Sequence, residues 1–219
     1  GSHRWEQEFG FSEGIFGHLF ATEKDKQTFL AGMNGHGLLS SPSAVAAFDL
    51  GRFRRMVDLG GATGHLVIAA CRRYPAQRAA VFELPTVTPI TNSYVEQAGL
   101  QERIEIQSGD FFTDPLPAAD LYSVGRILHD WSEDKVRVLL GKICEHLPSG
   151  GGLLICERLL NEERDGPVNA YLQSLNMLLC TEGKERSPSE YQSLTRDAGF
   201  SSFEFRRTGQ PVDVMLAVK

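Results

Sequence analysis

Residues 54–64, RRMVDLGGATG, decide the fold of this chain. A strand-like run, Met56 to Leu59, breaks into Gly60-Gly61-Ala62-Thr63-Gly64. An apolar stretch from His65 to Ala70 follows at once and reads as the start of a helix. Strand, glycine turn, helix is the opening unit of a doubly wound α/β domain. Glycine suits such a turn because a side chain would hold the backbone away from a ligand lying across it. A dinucleotide fingerprint needs G-x-G-x-x-G, and Ala62 stands where its second glycine should be. The tighter G-G-x-x-G spacing, with Asp58 just ahead, suits a nucleoside-type cofactor without a pyrophosphate and disfavours a nicotinamide dehydrogenase.

Outward from this turn, strands and helices alternate. Strand 1 spans about 54–59, with its helix at 65–74. Residues 79–84 form strand 2, stopped by Pro85, and 87–98 the next helix. Strands 3 and 4 fall at 103–107 and 120–124, and 134–147 is an amphipathic helix. Gly150-Gly151-Gly152 opens strand 5, which runs to Glu157. Helices at about 168–181 and 189–198 precede two extended runs, 203–208 and 213–218. The short Gly209-Gln210-Pro211 link cannot make a parallel crossover, so those two runs are antiparallel neighbours. Ahead of this unit, Glu13 to Phe29 carries apolar residues at helical intervals. The turn-rich 32–37 segment then interrupts, and a second helical stretch covers 43–50. Residues 1–3 read as an expression scar, 4–50 as a helical lead-in, and 51–219 as the ligand-binding domain.

Composition narrows the partners. The 219 residues carry a net charge of −6 with 42% hydrophobic and 23% charged residues. Such a balance argues against a nucleic-acid backbone or an anionic membrane surface as the main partner. No apolar stretch approaches transmembrane length and no secretory signal is present, which points to the cytoplasm. Cys71, Cys144, Cys156 and Cys180 form no C-x-x-C pair, so neither a metal site nor a disulfide framework is expected. Among the histidines only His129 sits in a suggestive place.

Three consecutive strand tips present ligand-capable residues on one sheet edge, the edge at which open α/β folds bind ligands. Glu83, a little over twenty residues past the glycines, can accept two hydrogen bonds from vicinal ribose hydroxyls. After strand 3, Gly109-Asp110-Phe111 offers a carboxylate to an adenine amino group and an aromatic ring beside it. Strand 4 ends in Gly125-Arg126-Ile127-Leu128-His129-Asp130-Trp131. Asp130 with Glu133 fits a helix-start capping pair, and Trp131 reads as core.

The set DLGGATG, FELP, GDFF, RILHDWSED and TEGKERSPSEY, in this order, resembles the metal-independent S-adenosylmethionine-dependent O-methyltransferases. That family includes the plant phenolic and the hydroxyindole (acetylserotonin) enzymes, and the likeness is strongest to its acetylserotonin O-methyltransferase-like members. It runs from about residue 9 to the end. The resemblance implies a class I methyltransferase fold: a seven-stranded, mostly parallel sheet with the last strand reversed. It implies S-adenosyl-L-methionine as cofactor and S-adenosyl-L-homocysteine as product. Glu83 would hold the ribose, Gly109, Asp110 and Phe111 the adenine, and Arg126 would lie along the cofactor. Gly60, Gly61 and Gly64 would admit the methionine portion, with Phe20 nearby. Two residues depart from the family pattern: Ala62 replaces a glycine, and Glu83 replaces the usual Asp. Ala62 adds crowding if its φ must be positive.

O-methylation by in-line displacement asks the protein to position an acceptor oxygen and take its proton. A phenol titrates near ~10 and a histidine near ~6.5, so a positioned base contributes roughly 10²–10⁴-fold. His129 is the natural base, with Glu157 and Glu185 as the acids that orient its ring; the family places catalytic carboxylates at both positions. Asn176 and Met177 match residues lining the family's pocket for a small aromatic acceptor. The competing reading is a catalytically silent pseudo-methyltransferase that binds the cofactor as a sensor or assembly module. A homodimer of a longer protein, made through residues mostly absent here, also follows from the likeness.

Overall fold

The computed structural model describes residues 19–219. The elements are α1 (Glu23–Ala46), β1 (Arg55–Leu59), α2 (His65–Arg73), β2 (Arg78–Glu83), α3 (Thr88–Gln97), β3 (Ile104–Ser108) and β4 (Leu121–Gly125). A 3₁₀ turn (Leu128–Asp130) follows, then α4 (Glu133–His146), β5 (Gly152–Glu157), α5 (Val168–Cys180), α6 (Pro188–Asp197), β6 (Ser202–Arg206) and β7 (Asp213–Val218). The strands form one sheet in the order β3-β2-β1-β4-β5-β7-β6. The first five strands are parallel neighbours, while β7 runs antiparallel to both β5 and β6. This is the class I methyltransferase fold, and the reversed final hairpin is the one its short link requires.

Alternation along each strand makes two cores. Val57, Leu59, Ala80, Phe82, Tyr122 and Val124 face one side, where α4 and α6 pack. Met56, Ala79, Val81, Leu121 and Leu154 face the other, against α1 and α2. Helix α4 buries Val136, Leu139, Leu140 and Ile143 at three- and four-residue spacing, which turns one stripe to the sheet. Ser187 caps α6 with a reciprocal Ser187–Glu190 capping box. Helix α5 turns Val168, Leu172, Leu175 and Leu178 outward, all well exposed.

One expectation fails in the lead-in. The glycine-rich 32–37 segment does not interrupt; α1 is continuous from Glu23 to Ala46 and passes through Pro42 as well. Tertiary contacts override the low helix propensity of glycine here. Gly37 lies flat against the His65 ring, where a Cβ would sit 2.1 Å from Cγ. Ser41 Oγ and His65 Nδ1 are 2.8 Å apart, and Thr63 donates to Asn34 Oδ1 at 3.0 Å. The sequence-read helical residues 13–18 lie outside the described residues. No helix among the described residues is long and apolar enough to cross a membrane.

Candidate functional site

Because β1, β2, β3, β4 and β5 are parallel, their C-terminal ends share one edge. That edge opens on a cavity of about 430 Å³. Its walls include Gly60, Gly61, Glu83, Gly109, Asp110, Phe111, Arg126, His129, Asn176 and Met177. Phe20, Phe29, Met33 and His36, from α1 and the segment before it, close one side. Phe20 meets Phe29 edge-on at 6.0 Å. Gly64 alone of the cofactor glycines does not line the cavity; it starts α2 in the left-handed region at φ 75°.

The glycine turn has a packing reason that its sequence does not show. A Cβ on Gly61 would meet the Asp58 carboxylate at 2.6 Å, and one on Gly60 would meet Ile127 Cδ1 at 2.6 Å. On Gly109 it would strike the Phe82 ring at 2.3 Å. A side chain at any of these positions would meet the protein's own side chains before any ligand arrives. Ala62 does adopt positive φ, at 50°. For a non-glycine residue that conformation costs roughly 1–2 kcal/mol. Glu83 offsets it: Oε2 accepts from the Ala62 N–H at 2.9 Å, while Oε1 accepts from Leu84 N–H at 2.8 Å. Burial raises the Glu83 carboxyl above its ordinary value, and those two N–H donors pull it back. Beneath the turn, Asp58 accepts from Ser123 Oγ at 2.6 Å, and burial pushes its carboxyl up to about 7.

Asp110 is turned into the β3 loop, with Oδ1 accepting from Phe112 N–H at 2.8 Å. Phe111, Phe112 and Trp131 form a run of rings with centroids 4.8 and 5.0 Å apart. Trp131 packs on the core as expected, and it also lines the cavity. Arg126 sits at φ 58°, and its Nε is buried with no hydrogen-bond partner.

His129, Glu157 and Glu185 come together although 28 residues separate the first pair and 56 the outer one. His129 Nδ1 is 2.8 Å from Glu185 Oε1 and 3.5 Å from Glu157 Oε2. All three side chains are buried. Glu157 Oε1 accepts from the Ile127 and Leu128 N–H groups at 3.0 and 2.8 Å, which fixes the 3₁₀ turn carrying His129. Glu157 Oε2 and Glu185 Oε2 are buried without a hydrogen-bond partner. Burial pushes the Glu185 carboxyl up to about 8 against the pull of Arg126, Arg158 and Arg186. Burial likewise raises Glu157, opposed first by His129. The three donor sets lie within 4.8 Å of one another, a spacing a divalent ion can bridge. Nδ1 is already in hydrogen-bond contact with Glu185.

Four residues read otherwise or passed over in the sequence belong to this site. Asp130 is not a helix cap, since Ser132 occupies that position. It lines the cavity with Oδ1 3.7 Å from His129 Nε2, and burial lifts its carboxyl to about 6. His36 and His65 also line the cavity; burial and Arg126 lower both, His65 to about 4. Arg186, fully buried, was hidden in a charged run. Its Nη1 donates to Leu128 O at 2.9 Å and its Nη2 to Trp131 O at 3.3 Å, bracketing His129. Gly183 lies against the main chain of His129 itself. Asn176 is exposed at the open mouth, while Met177 is buried.

Comparison with known proteins gives the family. The O-methyltransferase domain family matches residues 1–201. Acetylserotonin O-methyltransferase from Bos taurus is 41% identical over 220 residues, covering 100% of this chain and 64% of the relative. The chain thus spans less than two thirds of that protein. The probable bifunctional dTTP/UTP pyrophosphatase/methyltransferase protein of Homo sapiens is 40% identical over 200 residues, covering 91% of this chain and 32% of its own length. Human N-acetylserotonin methyltransferase in complex with SAM superposes with a TM-score of 0.92 at 39% identity, covering 98% of this chain and 62% of that one. PigF with SAH gives 0.89 at 29% identity, covering 100% and 66%.

Proposed function

We propose, from the premise that this chain belongs to the O-methyltransferase domain family, that it transfers a methyl group from S-adenosylmethionine to a small aromatic hydroxyl. The observation that carries the reading is the buried His129–Glu185 contact at the edge of the same cavity as Glu83 and Arg126. Residues 51–219 form the cofactor-binding unit, and 4–50 are its lead-in.

The residues fit the cofactor. Each Glu83 oxygen accepts one backbone bond and keeps a lone pair for a ribose hydroxyl. Asp110 spends one oxygen on its own loop and keeps the other for an adenine amino group, with Phe111 beside it. The unpartnered Arg126 Nε supports a place for Arg126 along the cofactor. S-adenosylmethionine supplies an activated methyl on a sulfonium. The remaining work falls to the protein's own groups. With Glu185 ionised, its carboxylate accepts from His129 Nδ1–H, which leaves the Nε2 lone pair to take the acceptor's proton. The imidazolium that results has Glu157 and Glu185 on its Nδ1 side and Asp130 on its Nε2 side, and stays at the end of the cavity. Asn176 and Met177, with the Phe20–Phe29 side, position the acceptor ring. His129, Glu157 and Glu185 standing in contact favour this enzyme reading over a silent cofactor-binding module.

Calorimetric titration with S-adenosylhomocysteine, followed by methyl transfer from S-adenosylmethionine to N-acetylserotonin and a panel of phenols, tests it. The expected result is micromolar cofactor binding in wild type and His129→Ala alike, with turnover lost only in the variant. A wild type without cofactor binding, or His129→Ala with undiminished turnover, rejects the reading.

A further inference from the structure

The two departures from the family pattern, Ala62 and Glu83, touch each other. Ala62 holds a left-handed φ of 50° in a place where the resemblance implies a glycine. Such a residue persists only where its surroundings over-determine it. Three side chains do so here. Glu83 Oε2 accepts from the Ala62 N–H at 2.9 Å. Thr91 Oγ1, in α3, donates to the Ala62 carbonyl. The next residue, Thr63, is tied through its hydroxyl to Asn34 of α1 at 3.0 Å.

The length of the Glu83 side chain matters. Its other oxygen is engaged with Leu84 N–H at 2.8 Å, so the carboxylate spans from its own strand end to the turn. An aspartate is shorter by one C–C bond, about 1.5 Å, which stretches the 2.9 Å contact beyond any hydrogen bond. With glycine at position 62 no such support is needed, because glycine adopts positive φ freely.

We infer that Glu83 is a positioning residue for the turn as well as a ribose ligand, and that Ala62 and Glu83 are a matched pair replacing the family's glycine and aspartate. The inference rests on the cofactor reading above for its ribose half only. The strained turn adopts the shape that meets the cofactor because the carboxylate that receives the ribose also holds the Ala62 N–H. Cofactor affinity and turn geometry therefore depend on one side chain.

A four-protein cycle tests it: wild type, Glu83→Asp, Ala62→Gly and the double variant. Melting temperature without ligand and S-adenosylhomocysteine affinity by calorimetry are the two readouts. Glu83→Asp alone is expected to lower the melting temperature and to weaken binding on the order of 10-fold or more. In the Ala62→Gly background the same change is expected to cost about threefold or less, since the double variant recreates the family's own pairing. Equal losses from Glu83→Asp in both backgrounds overturn the inference and leave Glu83 as a ribose ligand alone. If wild type binds no S-adenosylhomocysteine, the cofactor reading fails, and the ligand-free melting cycle still decides whether Glu83 supports Ala62. A loss on Glu83→Asp that Ala62→Gly rescues upholds it, and equal losses reject it.

Discussion

Gly183→Ala is the substitution that most directly asks whether the loop after α5 sets the position of His129. A Cβ on Gly183 would sit 2.0 Å from His129 O and 2.6 Å from its carbonyl carbon. Ordinary contact begins near 3.4 Å, so one backbone or the other must retreat by more than 1 Å. Neither is free to do so cheaply. The His129 turn is held by Glu157 from one side and by Arg186 from the other, and Glu182 N–H donates to Asp130 O at 3.2 Å. Overpacking of this kind costs roughly 1–3 kcal/mol. For a domain of this size that lowers the melting temperature by roughly 3–10 °C. A displacement of ~1 Å at the base costs on the order of 10²-fold in rate. S-adenosylhomocysteine affinity, set mainly by the turn and the tips of β2 and β3, stays within about threefold. Gly141→Ala on α4 is the control: nothing lies within 4 Å of its Cβ. There an alanine stabilises the helix by up to about 1 kcal/mol. A Gly183→Ala protein that melts within about 1 °C of wild type and turns over at the same rate refutes the reasoning.

Two further predictions concern protons. Glu185 holds its proton up to about pH 8, and below that the proton is shared toward Nδ1, so Nε2 carries the hydrogen and cannot act as base. The methyl-transfer rate should therefore rise with pH through about 8, and Glu185→Gln should abolish that rise and lower the rate about 10²-fold or more; a parallel pH profile would sink the assignment. Asp58 titrates near 7 when folded against 3.8 as its ordinary value, so the folded state binds the extra proton between these values and stability falls as pH rises through them. Asp58→Asn, which keeps an acceptor for Ser123, should remove a slope on the order of 1 kcal/mol per pH unit between pH 5 and 7; thermal melts across that range check it, and an unchanged slope rejects it.

Much of this structure is legible in the sequence where the signal is local. The central strands β1, β2, β4 and β5 are short apolar runs, and the reversed hairpin follows from the short link between β6 and β7. The strand tips gave Glu83, Asp110, Arg126 and His129 because a parallel sheet puts all such tips on one edge. What stayed hidden depends on contacts distant in sequence. The continuity of α1 comes from Gly37 resting on His65 and Asn34 on Thr63, which no local rule anticipates. Asp130 followed a local capping pattern, yet the turn rotates it into the cavity. Arg186 sat in a run of charges that looks solvated, but its partners Leu128 and Trp131 lie 58 and 55 residues away. The packing reason for Gly60, Gly61 and Gly109 was also hidden, since Ile127, Asp58 and Phe82 occupy the space a side chain would need.

The place of β7 has a consequence in time. It lies between β5 and β6, although it follows both in sequence. The edge of β5, the run Leu153-Leu154-Ile155-Cys156-Glu157, is therefore uncovered until residues 213–218 arrive. Whether β7 docks first and recruits β6 or the hairpin docks whole, the interval is the same. Through it the growing chain carries an unpaired, apolar strand edge of the kind that pairs with other chains. Crowded synthesis is where this domain is most exposed to misassembly, and the hazard ends when the last strand closes the sheet.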